Sequence, residues 1–365
     1  MSEFVPGIAL TGDFFAEVVQ PILATQFPAL QYGAALIGPG SEVLGFDTPM
    51  SMDHDWGLRV FLFLREQDAQ VFSHRIASVL SHELPPVFRG VPAAITTLTT
   101  SSSVRSMELA NAMDGPVKHH VVPMTVRRFG ELQLGCDATK GLSVAQWLSI
   151  PSHALGEVVK GAVYLDTTGE ITALRKQLAW YPRDVGLYML AAGWQRIGDE
   201  EHLMPRAGHA GSELGSALIG SRLVRDVMHL CFLMEKQHAQ YAKWLGTAFS
   251  RLDCAAAMEP LLRRVQVATS WELRQAPLGE AYALLARMHN AMGVTREMHT
   301  EVSGFHDRPF KVIHGEEFAQ ALLEQIKDDE VKAIAQRSLV GSVSQWTDNV
   351  AMKYVNSKNI QAIYQ

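Results

Sequence analysis

The sequence of 365 residues contains only three cysteines, and no two of them form a closely spaced pair. Disulfide frameworks and thiolate zinc sites both depend on paired cysteines, so the sequence supports neither kind of site. A chain with so few cysteines fits a reducing compartment, and we therefore expect the protein to be cytoplasmic. The three cysteines are Cys136, Cys231 and Cys254.

Long apolar runs are also missing. The sequence has no uninterrupted stretch of roughly 18 apolar residues, which is close to the length that a membrane-spanning helix needs. The first residues, MSEFVPGIALTGDFF, lack the basic segment and the apolar stretch of a secretory signal. The sequence therefore predicts no association with a membrane.

Positive charge is not in excess, because 32 Lys and Arg residues stand against 38 Asp and Glu residues. A non-specific nucleic-acid binder needs a large positive field to displace the counterions of the phosphate backbone. The charge balance argues against that class of protein, although a local basic groove stays open. The hydrophobic share of 47% is typical of a folded protein, and the length predicts about two domains.

Strand-like and helix-like segments alternate in the first 150 or so residues. Runs of strand-forming residues predict strands, and apolar residues at helical spacing predict helices. We expect Pro21 to kink the first helix, because proline cannot donate a backbone hydrogen bond. The predicted strands are 30–37, 58–64, 93–100 and 119–125, and the predicted helices are 14–28 and 67–82.

The second half of the chain is dominated by helix formers and by apolar residues that recur every 3.6 positions. The sequence thus predicts an α+β protein with a mixed sheet and flanking helices in residues 1–165, followed by an all-helical bundle in residues 166–365. The predicted helices of the bundle are 174–194, 217–249, 255–274, 278–291, 315–327 and 329–364.

The segment that follows the first predicted strand carries the clearest chemical signal. Gly40 and Ser41 come directly after that strand. A turn of this kind exposes backbone N–H groups and a hydroxyl, which together suit the phosphate oxygens of a nucleotide. The same residues also suit a simple chain reversal.

Asp53 and Asp55 stand two residues apart at the entry to the next predicted strand. Side chains two apart in a strand point to the same side of the sheet, so both carboxylates could hold one Mg²⁺ ion. Such an ion neutralises the charge that develops in phosphoryl or nucleotidyl transfer. Arg59 is predicted on the same face, where it could meet a phosphate or pair with a neighbouring acid.

A strand, a Gly-Ser turn and an Asp-x-Asp pair before the next strand resemble the nucleotidyltransferase superfamily with the DNA-polymerase-β-like fold. The strings GSEVLGFDTPMSMDHDWGLR, YLDTTGEITALRKQLAWYPRDVGLYMLAAGW and FLMEKQHAQYAKWLGTAF further resemble a bacterial branch related to aminoglycoside (kanamycin) nucleotidyltransferases. The resemblance implies that Gly40 and Ser41 hold the triphosphate and that Asp53 and Asp55 bind Mg²⁺. It also implies that the helical half helps to close over the nucleotide and the acceptor.

One feature of that superfamily is missing from the sequence. Members that use a third carboxylate carry it on a later strand, but the predicted strand 119–125 contains no acid. Three alternatives follow: Glu131 or Asp137 supplies the carboxylate, His120 serves as the base beside a single metal ion, or the enzyme is degenerate. A histidine suits the second role because its ordinary pKa lies near neutrality.

In the helical half, Lys236 and Lys243 stand seven residues apart, which is close to two helical turns. On one helix they would share a face beside Tyr241, and this face could receive phosphates or simply be solvated. Met228, Phe232 and Met234 are expected in the core of the bundle.

These features predict a Mg²⁺-dependent enzyme that transfers a nucleoside monophosphate from an NTP to a hydroxyl acceptor and releases pyrophosphate. The charge balance favours a small-molecule acceptor, while an RNA or a protein acceptor stays open. A second hypothesis is a nucleotide-binding sensor or interaction protein that has lost turnover. A third is that the helical half scaffolds a partner. The sequence does not determine the preferred base or the oligomeric state.

Overall fold

The computed structural model describes residues 4–53, 56–93, 96–97, 107–108, 116–355 and 357–365. The chain forms two compact units. The sheet unit comprises Met1–Gly141 and Ala154–Ala179, and the helical unit comprises Leu142–His153 and Trp180–Gln365. The expected fold class is confirmed, because a mixed sheet with flanking helices is followed by a helical region. The expected boundary at residue 165 falls inside a strand of the sheet unit.

The helices and strands have the following bounds. The helices are α1 (Gly7–Phe14), α2 (Gln20–Gln26), α3 (Ser41–Leu44), α4 (Glu66–Glu83), α5 (Val126–Leu134), α6 (Val144–Ser149), α7 (Ser152–Val159), α8 (Glu170–Leu178), α9 (Arg183–Glu201), α10 (Leu203–His209), α11 (Glu213–Met234), α12 (Ala242–Phe249), α13 (Ala255–Val267), α14 (Trp271–Ala291), α15 (Gly315–Leu323), α16 (Asp329–Arg337), α17 (Val343–Trp346) and α18 (Ser357–Gln361). The strands are β1 (Tyr32–Leu36), β2 (Arg59–Leu64), β3 (Val87–Phe88), β4 (Val91–Pro92), β5 (Thr96–Thr97), β6 (Met107–Glu108), β7 (His120–Met124), β8 (Ala162–Asp166), β9 (Ser303–Gly304) and β10 (Lys311–Val312).

The main sheet of the sheet unit has the strand order β7-β2-β1-β8. Strand β1 is antiparallel to both β2 and β8, and β2 is parallel to β7. The two central strands are buried along nearly their whole length, which explains why each is an almost continuous apolar run. The predictions of strands at 30–37, 58–64 and 119–125 are confirmed. Strand β8, a half-buried edge strand, was not predicted, although its Ala-Val-Tyr-Leu run is a strand signal.

The N-terminal helical segment continues from α1 through a π-helical turn, Phe15–Val19, into α2. Pro21 lies at the start of α2, and its missing N–H accounts for the irregular hydrogen bonding there. The stretch Gly7–Gln26 is long and apolar enough to cross a membrane by length and composition. Its apolar side chains Leu10, Phe14 and Leu23 belong to the buried core of the sheet unit. We interpret this segment as a core helix of the sheet unit.

Long helices form the core of the helical unit. Trp194 and Tyr188 of α9 are fully buried. Gly198 of α9 meets α15 closely, since a Cβ atom at this position would lie 2.7 Å from the backbone N of Glu316. Beyond residue 215, the strands among the described residues are β9 and β10, each of two residues.

The helix predicted at 217–249 is interrupted, because α11 ends at Met234 and α12 begins at Ala242. Lys236 adopts a left-handed backbone conformation with φ 54°. The N–H of Gln237 bonds to the carbonyl of Phe232 at 2.9 Å, and the N–H of Lys236 bonds to that of Leu233 at 3.3 Å. This pair of bonds is the Schellman arrangement that ends many helices. The break was not predictable from breaker residues, because 235–241 contains neither glycine nor proline.

Candidate functional site

One edge of the main sheet collects the residues that the sequence pointed to. Strand β1 ends at this edge, and β2 and β7 both begin there, because β1 and β2 are antiparallel while β2 and β7 are parallel. Arg59 and His120, the first residues of β2 and β7, are direct partners in the register. The Gly38–Ser41 turn follows β1 at the same edge. The topology therefore brings Gly40, Ser41, Arg59 and His120 to one place.

The turn after β1 depends on its glycines. Gly38 has φ 90°, and its N–H donates to the backbone carbonyl of Glu157 at 2.8 Å. Gly40 has φ 142°, and a Cβ atom there would lie 2.5 Å from Oε1 of Glu42. Residues with a side chain rarely adopt either conformation. The chain can therefore turn tightly into α3, which begins at Ser41.

Arg59 connects the turn to the sheet. Its Nη2 donates to the carbonyl of Pro39 and to Oε1 of Glu42, the latter at 2.9 Å. The Glu42 side chain is only 1% exposed and that of Arg59 is 16% exposed. Of the two roles that the sequence allowed for Arg59, the described residues show pairing with an acid, and the acid is Glu42.

Glu42 was not recognised from the sequence as a site residue. It comes directly after Ser41, so the only signal was its position in the Gly-Ser-Glu string. Burial raises the pKa of Tyr164 above its ordinary value, and the charge of Glu42 adds to that shift. Glu157 is a second buried acid that sequence reasoning missed, and its backbone carbonyl contacts the turn.

Asp47 fixes the segment that leads to the predicted metal pair. Its Oδ2 accepts hydrogen bonds from the N–H of Gly7 at 2.7 Å and from Nε1 of Trp56 at 3.0 Å. A single carboxylate thus fastens the chain on both sides of residues 53–55 to α1. An Asp-Thr-Pro sequence is typical of a turn. The sequence does not indicate this bonding role, because Gly7 lies 40 residues away and Trp56 lies beyond the turn.

The predicted metal ligands are only partly described. Asp53 is the last residue of a 3-10 helix, Pro49–Asp53, and β2 begins only at Arg59. The argument that Asp53 and Asp55 share the face of a strand is therefore wrong for Asp53. The side chain of Asp53 and the whole of Asp55 lie outside the described residues. Among the side chains that are described, no three His, Cys, Asp or Glu residues are grouped as metal ligands would be.

Glu131 and Asp137, the acids nearest to β7 in sequence, have local partners. Glu131 pairs with Arg127 at 2.9 Å and with Arg128 at 3.3 Å on α5. Asp137 accepts from the N–H of Thr139 at 3.1 Å and caps a short 3-10 helix. These contacts explain both acids without a role at the sheet edge.

The two lysines of the helical unit do not share a helix face, contrary to the prediction. Lys236 lies in the loop after α11, whereas Lys243 is the second residue of α12. The Lys243 ammonium lies 4.8 Å from the ring centroid of Trp244, so it makes a cation–π contact. Lys236 instead lines a pocket of the helical unit together with Met234, which was expected in the core.

One family model, described as a domain of unknown function (DUF4037), matches residues 147–245. This segment begins in α6, ends in α12 and includes β8, so it takes in parts of both compact units. No curated protein and no solved structure matches the chain. The matched segment is shorter than half of the chain and does not include the Gly-Ser turn.

Proposed function

We propose that the protein is a Mg²⁺-dependent nucleotidyltransferase of the superfamily with the DNA-polymerase-β-like fold. The observation that carries the proposal is the sheet edge at which the Gly-Ser turn, Arg59 and His120 meet. The turn offers N–H groups and the hydroxyl of the half-buried residue Ser41 to the phosphates of an NTP. The proposed reaction is the attack of an acceptor hydroxyl on the α-phosphorus, with pyrophosphate as the leaving group.

Gly40 and Ser41 are the proposed triphosphate ligands, and Arg59 is a positioning residue. Because Arg59 binds the carbonyl of Pro39 and the carboxylate of Glu42, it fixes the turn against β2. A turn that is fixed before the nucleotide arrives loses less conformational freedom on binding. Nε of Arg59 is buried and has no hydrogen-bond partner among the described residues.

Asp53 and Asp55 are the proposed metal ligands. Carboxylate oxygens are the ligands that Mg²⁺ prefers, and the pair lies between the Gly-Ser turn and β2, so the donor set fits this ion. When bound, Mg²⁺ would neutralise charge on the phosphates. Asp47 supports the same segment, because it precedes the pair in the sequence and accepts hydrogen bonds from Trp56, which follows the pair, and from Gly7 of α1.

His120 is the proposed base for the acceptor hydroxyl. It is half-buried at the start of β7 and lies next to Arg59 in the register. General-base catalysis typically contributes on the order of 10² to 10⁴ in rate. We propose a cytoplasmic enzyme with a small-molecule acceptor, since the chain carries more acidic than basic residues.

A nucleotide-binding sensor without turnover is the second candidate. The observation that favours it is that β7 carries no acid, while Glu131 and Asp137 are engaged in local contacts. A site that lacks a third carboxylate would still bind the nucleotide. Binding and transfer must therefore be measured separately.

The test of both candidates combines titration calorimetry with an assay for pyrophosphate release. The protein is given each NTP with Mg²⁺ in the presence of sugar, nucleoside, RNA and protein acceptors. For the enzyme, we expect transfer that Asp53→Asn or Asp55→Asn reduces at least about 100-fold, because several kcal/mol of charge stabilisation are lost. The exposed Asp307 in the helical unit provides the control, and Asp307→Asn should behave as wild type.

Two results would contradict these assignments. Equal affinity for NTP with Mg²⁺ in wild type and in both aspartate variants would show that Asp53 and Asp55 are not the metal ligands. Tight binding of an NTP without transfer to any acceptor would contradict the enzyme and favour the nucleotide-binding sensor.

A further inference from the structure

A pocket of about 760 Å³ lies in the helical unit. Residues of α9, the end of α11, the loop before α13 and the end of α14 line it. Pockets that bind small organic molecules typically measure about 300–1,000 Å³. The volume is therefore sufficient for a ligand of that size.

The wall of this pocket is mainly apolar. Leu187 and Leu190 of α9 and Leu233 of α11 are largely buried, whereas Leu284 and Met288 of α14 are half-buried. Methionine side chains are flexible and polarisable, so they adapt to apolar groups of different shapes. The wall therefore suits an aromatic or branched aliphatic group.

Gly186 is the unusual residue of this wall. Glycine is unfavourable inside a helix, and α9 contains three glycines. A Cβ atom at Gly193 would lie 2.7 Å from Cδ2 of Leu230, and one at Gly198 would lie 2.7 Å from the N of Glu316, so close packing explains both. A Cβ atom at Gly186 would have no atom within 4 Å among the described residues. The space that Gly186 leaves open belongs to the pocket.

Lys236 is the second unusual residue. It occupies the left-handed position of a Schellman motif, where glycine is normally found. Backbone strain of this kind persists where the surrounding structure requires it, and it is concentrated at functional sites. Lys236 is exposed, lines the pocket and makes no ion pair within the described part of the chain.

The charges at the pocket leave positive groups available. Both carboxylate oxygens of Glu235 accept backbone N–H groups, at 2.7 Å from Asp253 and at 2.8 Å from Cys254. Arg183 uses Nη1 for Asp184 and for the carbonyl of Gln325, while Nε and Nη2 make no hydrogen bond with any described residue. Asp253 is an exposed acid. Lys236 and the free edge of Arg183 can therefore receive an acidic group.

The geometry points to a binding site for a small organic anion in this pocket. The apolar part of the ligand lies against the leucine and methionine wall and fills the space in front of Gly186. Its acidic group pairs with Lys236 and Arg183. This site goes beyond the proposed transferase activity and does not depend on it.

A pair of fluorescent probes tests the proposal on the full-length protein. Anilinonaphthalene sulfonate has an aromatic body and one negative charge, and phenylnaphthylamine has the same rings without the charge. We expect saturable binding of both probes and tighter binding of the sulfonate. Lys236→Gln should weaken the binding of the sulfonate about tenfold, which corresponds to about 1.4 kcal/mol, and should leave the affinity for the neutral probe unchanged.

Gly186→Leu should weaken the binding of both probes at least about tenfold, because the new side chain occupies the space in front of Gly186 in which the apolar rings lie. Gly246→Leu is the matched control, since Gly246 is also helical with open space at its Cβ but does not line this pocket. Lys236→Gly should raise the melting temperature while it weakens sulfonate binding, because it removes backbone strain together with the charge.

Three results would overturn the proposal: no saturable binding of the sulfonate, equal weakening of both probes by Lys236→Gln, or binding of both probes that Gly186→Leu leaves unchanged. Circular dichroism of each variant shows whether it is folded. If Gly186→Leu does not fold, the exposed Lys236→Gln variant alone decides the outcome.

Discussion

Arg59 provides the Glu42 carboxylate with a charged partner, and the two side chains connect the turn after β1 to the start of β2. Removing one member of a buried ion pair leaves the other charge in a poor environment. We therefore predict that Arg59→Met lowers the free energy of unfolding by about 3 kcal/mol. Urea denaturation followed by tryptophan fluorescence measures this change.

The double variant Arg59→Met, Glu42→Gln serves as the control for that prediction. It removes both charges, so it should recover at least half of the lost stability. No recovery would mean that the pair does not stabilise the turn through charge.

A single residue, Glu201, makes the stability of the helical unit depend on pH. Its carboxylate is buried and accepts the N–H groups of Ile313 at 2.5 Å and of Gly315 at 3.2 Å. Burial raises the pKa of Glu201 to about 7, although these backbone donors oppose the shift. The folded state therefore holds the proton more tightly than the unfolded state. The stability contribution is fully present below the unfolded pKa and is lost as the pH rises to about 7.

Between pH 4.5 and pH 8, we predict that the free energy of unfolding of wild type falls by up to about 3 kcal/mol relative to that of Glu201→Gln. The reason is that each unit of pKa shift corresponds to about 1.4 kcal/mol. Thermal denaturation at several pH values measures the difference. Glu200 is a half-buried acid that pairs with Arg222, and Glu200→Gln gives the control. If the difference in free energy of unfolding between wild type and Glu201→Gln does not change with pH, the role of Glu201 is contradicted.

At the scale of an element, α9 allows two opposite predictions from the same substitution. Gly186→Ala should stabilise the protein by about 0.5–1 kcal/mol, because alanine favours the helix and the added methyl group meets no atom. Gly193→Ala should destabilise it by about 1–3 kcal/mol, because its methyl group would overlap Leu230. Urea denaturation of both variants tests this contrast. Equal effects would show that helix propensity alone determines the outcome in α9.

At the scale of the whole molecule, the chain passes between the two units three times, at 141–142, 153–154 and 179–180. A fragment that ends at residue 165 lacks the last residue of β8 and all of α8, whose Ile171, Leu174 and Leu178 are buried. We predict that fragment 1–179 has a higher melting temperature than fragment 1–165. Differential scanning calorimetry compares the two, and equal melting temperatures would indicate that α8 contributes little to the sheet unit.

The sequence by itself determined the local features of the protein. The apolar runs of β1 and β2, the helical period of α4 and the glycines of the turn each reflect a preference that neighbouring residues impose. Pro21 indicated an irregular helix for the same reason, and the π-helical turn ends two residues before it. These elements were predictable because burial of one face and backbone dihedral preference act over a few residues.

Only the tertiary structure decided which distant groups meet. Arg59 pairs with Glu42, which lies 17 positions away in the sequence. Strand β8 pairs with β1, although the two strands are more than a hundred residues apart. The left-handed conformation of Lys236 and the open space before Gly186 also depend on packing rather than on local sequence. Residue pattern specifies the type of an element, whereas ion pairs, strand order and pockets depend on long-range packing that no short stretch of sequence encodes.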